Sequence, residues 1–304
     1  MVVERPAADL SDLPDCPAWL EVVDPTPEDL TLVAEELALH PLAVEDAING
    51  GQRPKVDEYA GHLFIVFFAL EMPEPDVVRD QEISIFLVRN AIVTVRRGDF
   101  KARAAVEARF RDGRITSADE LLYALLDRIV DEYFPIIDQF GERLELLERF
   151  IVDDPSGRGL QDSLSELFHL KSDLLRVRRH IAPAREVLAA LSRGGGGFIA
   201  SARIPYFQDV YDHIVRVTDE IDTFRDLASN VIDAHLAAAS NRLNEVMKLL
   251  TSISTVLLVM TLITGFFGQN FTQLPFSSDV VFGFMIAALI ASGLALTVYF
   301  RRRG

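Results

Sequence analysis

The last fifty-odd residues constrain this chain more than any other part of it. From Leu249 to Gly268 there is no charged residue, and after a short polar loop a second apolar run extends from Val280 to Phe300, followed at once by Arg301-Arg302-Arg303. The two runs have about 20 and 21 residues, close to the ~20 that carry a helix across the hydrocarbon of a bilayer. Both are apolar all round, unlike the amphipathic helices that cover a soluble core. The reading is a large soluble body on two membrane spans. The arginines after Phe300, with Lys248 before the first span, put both flanks on the cytoplasmic side. A multi-pass protein of the cell (inner) membrane is expected, with both termini cytoplasmic and only about a dozen residues, Gln269 to Asp279, outside.

Charge is partitioned as sharply as hydropathy. Residues 251–304 hold one acid, Asp279, and three arginines; the rest of the chain holds 45 of the 46 acids and 27 of the 30 basic residues, a net of −18. Such a body argues against a nucleic-acid partner; it either repels copies of itself or collects cations. The single cysteine, Cys16, rules out an intramolecular disulfide framework. Met1 to Leu20 is acidic and proline-rich, without the basic start and apolar core of a signal peptide, so the soluble body is expected in the cytoplasm.

Residues 1–116 read as an α/β domain. Trp19 to Val23 is a strand, Pro27 to Leu39 a helix capped by Thr26, and Pro41 to Asn49 a second helix ended by Gly50-Gly51. Short β-branched and aromatic runs at His62–Leu70, Glu82–Arg89 and Ala91–Arg96 are strands, the last two joined at Asn90; Asp99 to Phe110 is a helix. Residues 117–202 read as a helical hairpin. Its first arm is Glu120 to Val152, with apolar residues at Leu121, Leu125, Ile129, Phe134, Ile137, Leu144 and Leu147. A break at Asp153–Gly157 precedes the second arm, Leu160 to Leu191, and Gly194–Gly197 is a flexible break. The fold class is thus an α+β domain with a mixed sheet, followed by long helices and two transmembrane helices.

One helical pattern then runs from Pro205 to Gly268 without glycine until Gly265, roughly 95 Å at ~1.5 Å per residue. Residues 203–248 would be a cytoplasmic stalk, 249–268 the first span, 269–279 the outer loop, 280–300 the second span and 301–304 a basic tail. Along the long helix Asp233, Ser240, Asn244, Met247, Thr251, Ser254, Leu258, Thr261 and Gly265 share one face. Most are small or polar, with Met247 and Leu258 as apolar rings. Two readings fit this stripe: the wall of a narrow pore, with the apolar rings gating by dewetting, or a surface for close helix packing. No catalytic constellation competes. There is no Gly-rich phosphate loop, and the six histidines show no His-x-x-x-His pair; they read as ordinary surface or core residues, and the chain as no enzyme.

Several stretches carry a family resemblance: Pro205-Tyr206-Phe207-Gln208-Asp209-Val210-Tyr211-Asp212-His213, Thr223-Phe224-Arg225-Asp226, Asn241 through Thr251, and Thr264-Gly265-Phe266-Phe267-Gly268-Gln269-Asn270-Phe271. With His40–Asp46 and Gln52–Lys55 upstream, the chain resembles the CorA-type divalent-cation transporter superfamily over nearly its whole length. The resemblance implies a funnel-shaped homopentamer whose first span lines the pore. It implies a filter at Gly268, Gln269 and Asn270, where the family's usual motif is Gly-Met-Asn. It also implies regulatory Mg²⁺ held between subunits by Asp209 and Asp212, with an acid among Glu71, Glu74 and Asp76 in a strand-end loop of the neighbouring domain.

Mg²⁺ is small, hard and slow to lose water, and a ring of amide oxygens from Asn270 suits its hydrated form. Glutamine at 269 and the acid-free Leu274-Pro275-Phe276 in place of Met-Pro-Glu leave ion choice open. Mg²⁺ with Co²⁺ or Ni²⁺ is one reading, and Zn²⁺, carried by another branch of the superfamily, is the second. A membrane-anchored cation sensor that conducts nothing is a third. Self, membrane lipid and divalent cations are the expected partners.

Overall fold

The computed structural model describes residues 2–3, 17–74, 77–153, 160–269 and 278–303. Cys16, Asp76, the residues 154–157 of the hairpin break, Asn270 and the outer loop 271–277 lie outside them. The chain divides into two compact units, Met1–Ile232 and Asp233–Gly304.

The first unit is built on a six-stranded mixed sheet. Its strands are β1 (Val2–Val3), β2 (Ala18–Val23), β3 (Lys55–Tyr59), β4 (His62–Glu74), β5 (Val77–Val88) and β6 (Ala91–Arg96), in the order β1-β2-β6-β5-β4-β3. β1 and β6 run parallel to β2, and the other pairs are antiparallel. β4 opens with nine consecutive buried residues, the continuous apolar run expected of a strand covered on both faces. One face packs against α1 (Pro27–Leu37) and α2 (Pro41–Asn49), with Leu30, Val33, Ala43 and Val44 over Phe64, Val66, Phe86 and Val93. Thr26 and Asp29 cap α1 reciprocally, so its start follows from local chemistry.

The other face packs against α3 (Lys101–Arg111), α4 (Ala118–Asp131), α5 (Tyr133–Asp153), α6 (Leu160–Leu191) and the first part of α7 (Ile204–Phe267). Tyr133, 1% exposed, donates its hydroxyl to the carbonyl of Phe68 and so ties α5 to β4.

Four expectations are corrected. The arm Glu120–Val152 is two helices: α4 stops at Glu132 and α5 restarts at Tyr133, because Pro135 has no N–H to continue the ladder and suits a first turn. β3 was not anticipated; Lys55-Val56-Asp57-Glu58-Tyr59 is a polar edge strand without an apolar face to announce it. Glu71 and Glu74 are not in a strand-end loop but in β4 itself, opposite Arg79 and Val77 of β5. Gly194–Gly197 forms a compact turn with Gly195 buried, all four glycines at positive φ.

α7 is seated in this unit by Phe207, Val210, Ile214, Val217, Ile221 and Ala228, all buried. It meets α5 at Gly141, where an added Cβ would lie 2.9 Å from the ring of Phe224. Mid-helix glycine otherwise costs about 1 kcal/mol relative to alanine, so this glycine serves the close approach. Gly141→Val is expected to lower the unfolding free energy by roughly 1–3 kcal/mol in denaturant titrations of the full chain, with part of the loss restored when Phe224 is also changed to Leu.

Candidate functional site

α4 and α7 bring together a cluster of metal-ligating groups. Tyr123 packs edge-on to Phe207 at 6.1 Å and tilted against Tyr206 at 5.3 Å, and one turn further along each helix Asp127 meets Asp209 and His213. One ligand atom from each of these three residues lies within 4.8 Å of the others. Val210 and Ile214, buried beside them, fix the face of α7 that carries the pair. Burial is the main cause that raises the Asp127 carboxyl above its ordinary value; the negative charges of Asp131 and Asp209 add to it, and His213 opposes. Burial, then Asp127 and Asp209, likewise raises the Tyr123 phenol. The Nδ1 of His213 is buried without a hydrogen-bond partner, its ring edge-on to Phe134 at 5.8 Å. A half-buried carboxylate, an exposed one and an orphaned imidazole nitrogen are a donor set for a divalent cation. Oxygen alone suits Mg²⁺, whereas an added imidazole suits Co²⁺, Ni²⁺ or Zn²⁺.

Asp209 was anticipated; Asp127 and His213 were not singled out from the sequence. Asp209 and His213 are four residues apart on one helix, so an Asp-x-x-x-His search would have found them. Asp212 is exposed and outside this group. Glu71 accepts the backbone N–H of Lys101 at 2.6 Å, where α3 begins and its N-cap Phe100 supplies no side-chain bond. It is thereby committed to capping a helix. Glu74 is exposed.

In the second unit the later part of α7 lies beside α8 (Asp279–Arg303). Both helices are long and apolar enough to cross a membrane. Gly293 of α8 sits against Met260, whose Cε would be 2.6 Å from an added Cβ. Along this part of α7 the partly covered residues are Ser252, Thr255, Val256, Val259, Met260, Ile263 and Phe267. Asp233, Ser240, Asn244, Met247, Thr251, Ser254, Leu258, Thr261 and Gly265 are all exposed. At ~100° per residue the two sets are centred about 150° apart, so the stripe is on the side that α8 leaves bare. The Thr261 hydroxyl donates to the carbonyl of Leu257 at 2.8 Å; its donor is spent within the helix and its lone pairs are turned outward. α7 ends at Phe267, with the Gly268 N–H still bonded to the carbonyl of Thr264 at 2.9 Å and Gln269 in a bend.

An α/β and helical unit is thus followed in the chain by two helices long and apolar enough to cross a membrane. The family model for the CorA-like Mg²⁺ transporter protein matches residues 16–302. The chain is 32% identical to a cobalt/magnesium transport protein CorA of Thermotoga maritima, over 94% of this chain and 83% of the relative. It is 29% identical to a putative metal ion transporter of Bacillus subtilis, over 94% and 89%. The solved structure of the CorA magnesium transporter of Methanocaldococcus jannaschii matches it with a TM-score of 0.78 at 22% identity, covering 94% of this chain and 90% of that one. The chain belongs to the CorA-like Mg²⁺ transporter family, and it is a divalent-cation transporter, not an enzyme.

Because the Asp127 carboxyl is raised, its ionisation opposes folding. The stability it permits is complete below the ordinary value of 3.8 and is lost as pH rises through its folded-state value. Asp127→Asn is therefore expected to raise the thermal midpoint of the metal-free chain at neutral pH. The same variant should weaken the Co²⁺-dependent stabilisation, with binding roughly tenfold or more weaker, as read by thermal unfolding against cation concentration.

Proposed function

We propose that five copies of this chain surround an axis lined by the α7 stripe. They pass Mg²⁺, with Co²⁺ and Ni²⁺ as further substrates, down the ion gradient and the membrane potential. One observation carries this reading: within the span, Thr251, Ser254, Leu258, Thr261 and Gly265 are exposed on the side away from the residues that α8 partly covers. Lipid is a poor neighbour for Thr251, Ser254 and Thr261, whereas an ion pathway is a good one. Small hydroxyl residues there suit a hydrated cation, and Met247 and Leu258 form apolar constrictions that gate by dewetting. At the outer mouth Gly268, Gln269 and Asn270 form the filter, five asparagine oxygens holding the water shell of Mg²⁺ without stripping it. A non-conducting sensor would have no use for so long an uncovered stripe.

Cytoplasmic Mg²⁺ closes the pathway by binding at Asp209 and Asp212, with Asp127 and His213 beside them. An acid from the β4–β5 hairpin of a neighbouring subunit completes the site. Glu74 and Asp76 are the candidates, since Glu71 is engaged at α3. When internal Mg²⁺ falls, bodies of net −18 repel one another and the ring loosens. Residues 1–248 are cytoplasmic, 249–268 and 280–300 cross the inner membrane, and the 301–304 tail returns to the cytoplasm, as the basic flanks Lys248 and Arg301 support.

Zn²⁺ is the second reading, and two observations favour it: glutamine at 269 and the nitrogen ligand offered by His213. Uptake into liposomes by the purified protein, with each ion competing against the other, separates the two. Mg²⁺ uptake blocked by excess Co²⁺ but not by equal Zn²⁺ is expected. Asn270→Ala should abolish selective Mg²⁺ uptake, and unchanged flux would remove the filter role. Leu258→Ser, which wets the constriction, should raise flux when internal Mg²⁺ is high.

A further inference from the structure

The cytoplasmic unit contains a cavity of about 780 Å³ that the transport reading does not use. It lies beside Ala47 near the end of α2. Phe68, Ser84 and Val95 form its floor, the loop after α2 one wall and α6 the other. In a chain of net charge −16 its rim is rich in arginine. Arg53 and Arg179 are exposed and have no hydrogen-bond or ion-pair partner among the described residues. Arg97 is held over the loop by a bond to the carbonyl of Ile48, its Nη1 2.6 Å from where a Cβ on Gly50 would lie. The acids offset this rim only in part: Asp80 is taken by Arg176 at 2.9 Å, and Glu82, which feels the charge of Arg97, accepts the Gly51 N–H at 2.7 Å through one oxygen. The other oxygen of Glu82 is buried with no partner. A cavity of this size falls in the ~300–1,000 Å³ range of small-molecule sites.

These groups ask for two things at once. Three guanidinium groups call for a multiply charged oxyanion, for which arginine is the preferred residue. The orphaned Glu82 oxygen calls for an N–H or O–H donor, and the Phe68 ring, with His180 at 4.2 Å, offers an apolar face. Carboxylates from another subunit would satisfy the arginines but leave Glu82 without a donor. We infer that this cavity binds a phosphorylated ligand of nucleotide size, its phosphates on Arg53, Arg97 and Arg179 and its ring donors on Glu82. Asp80 and Glu82 lie on β5, the strand whose other half of the hairpin carries Glu74, so occupancy is positioned to bias the regulatory acids.

The test uses the full-length protein in detergent, free of divalent ions so that the metal sites contribute nothing. Binding of ATP, ADP and orthophosphate is measured by equilibrium dialysis. One saturable nucleotide site per subunit is expected, weakened roughly tenfold by Arg53→Ala and by Arg179→Ala, with circular dichroism unchanged. Orthophosphate binding with no gain from the nucleoside would confine the site to free phosphate and overturn the nucleotide assignment. No saturable binding at millimolar nucleotide, or binding indifferent to both variants, would overturn the proposal. So would variants that leave binding absent and alter only the oligomer size, which would assign the arginines to subunit contacts.

Discussion

A helix that crosses a bilayer must hide its polar groups from lipid, and α7 carries a polar stripe that its one neighbouring span does not cover. Most of what the chain does follows from that mismatch. One side of α7 is partly covered by α8, with Gly293 against Met260, while Leu250, Ile253, Leu257, Leu262 and Phe266 stay open to lipid or to other copies. The hydroxyls of Thr255, Thr261 and Thr264 bond back to their own helix, which lowers the cost of their placement without removing it. The stripe positions Thr251, Ser254 and Thr261 remain, and these are better placed against water, ions or copies of the chain than against lipid.

The first unit presents the complementary problem. Its acids outnumber its bases, and at Asp127, Asp209 and His213 the fold gathers two carboxylates and an unpartnered nitrogen where burial already penalises charge. A divalent cation relieves that penalty. The same helix that bears Asp209 and His213 also bears the stripe, so the proposed sensor and the proposed pathway share one element.

Much of this was legible in the sequence. The bounds of α2, β6 and α6 follow from local signals: proline and glycine around α2, a short β-branched run in β6, and the glycine break after α6. The spans follow from two uncharged apolar runs of bilayer length, and the shared face of the stripe follows from the 3.6-residue period. The break at Glu132 was hidden because the apolar period continues through it, although Pro135 marked it. β3 was hidden because an edge strand has little to bury. The cluster was half legible: Asp209 and His213 share a helix face, but Asp127 joins them only through the packing of Tyr123 on Phe207, a contact between distant segments. The engagement of Glu71 at α3 was likewise beyond reach, since it depends on a strand meeting a helix start.

The central claim is that the face of α7 turned away from α8 lines the ion path. With Cys16 replaced by serine, single cysteines at Ser254, Leu258 and Thr261 can be compared with cysteines at Val256, Val259 and Ile263 in reconstituted protein. A charged, membrane-impermeant thiol reagent is applied while Mg²⁺ flux is followed. The account predicts that the first set reacts and blocks flux and that the second does neither. Equal reactivity of both sets, or block confined to the positions that face α8, would contradict it.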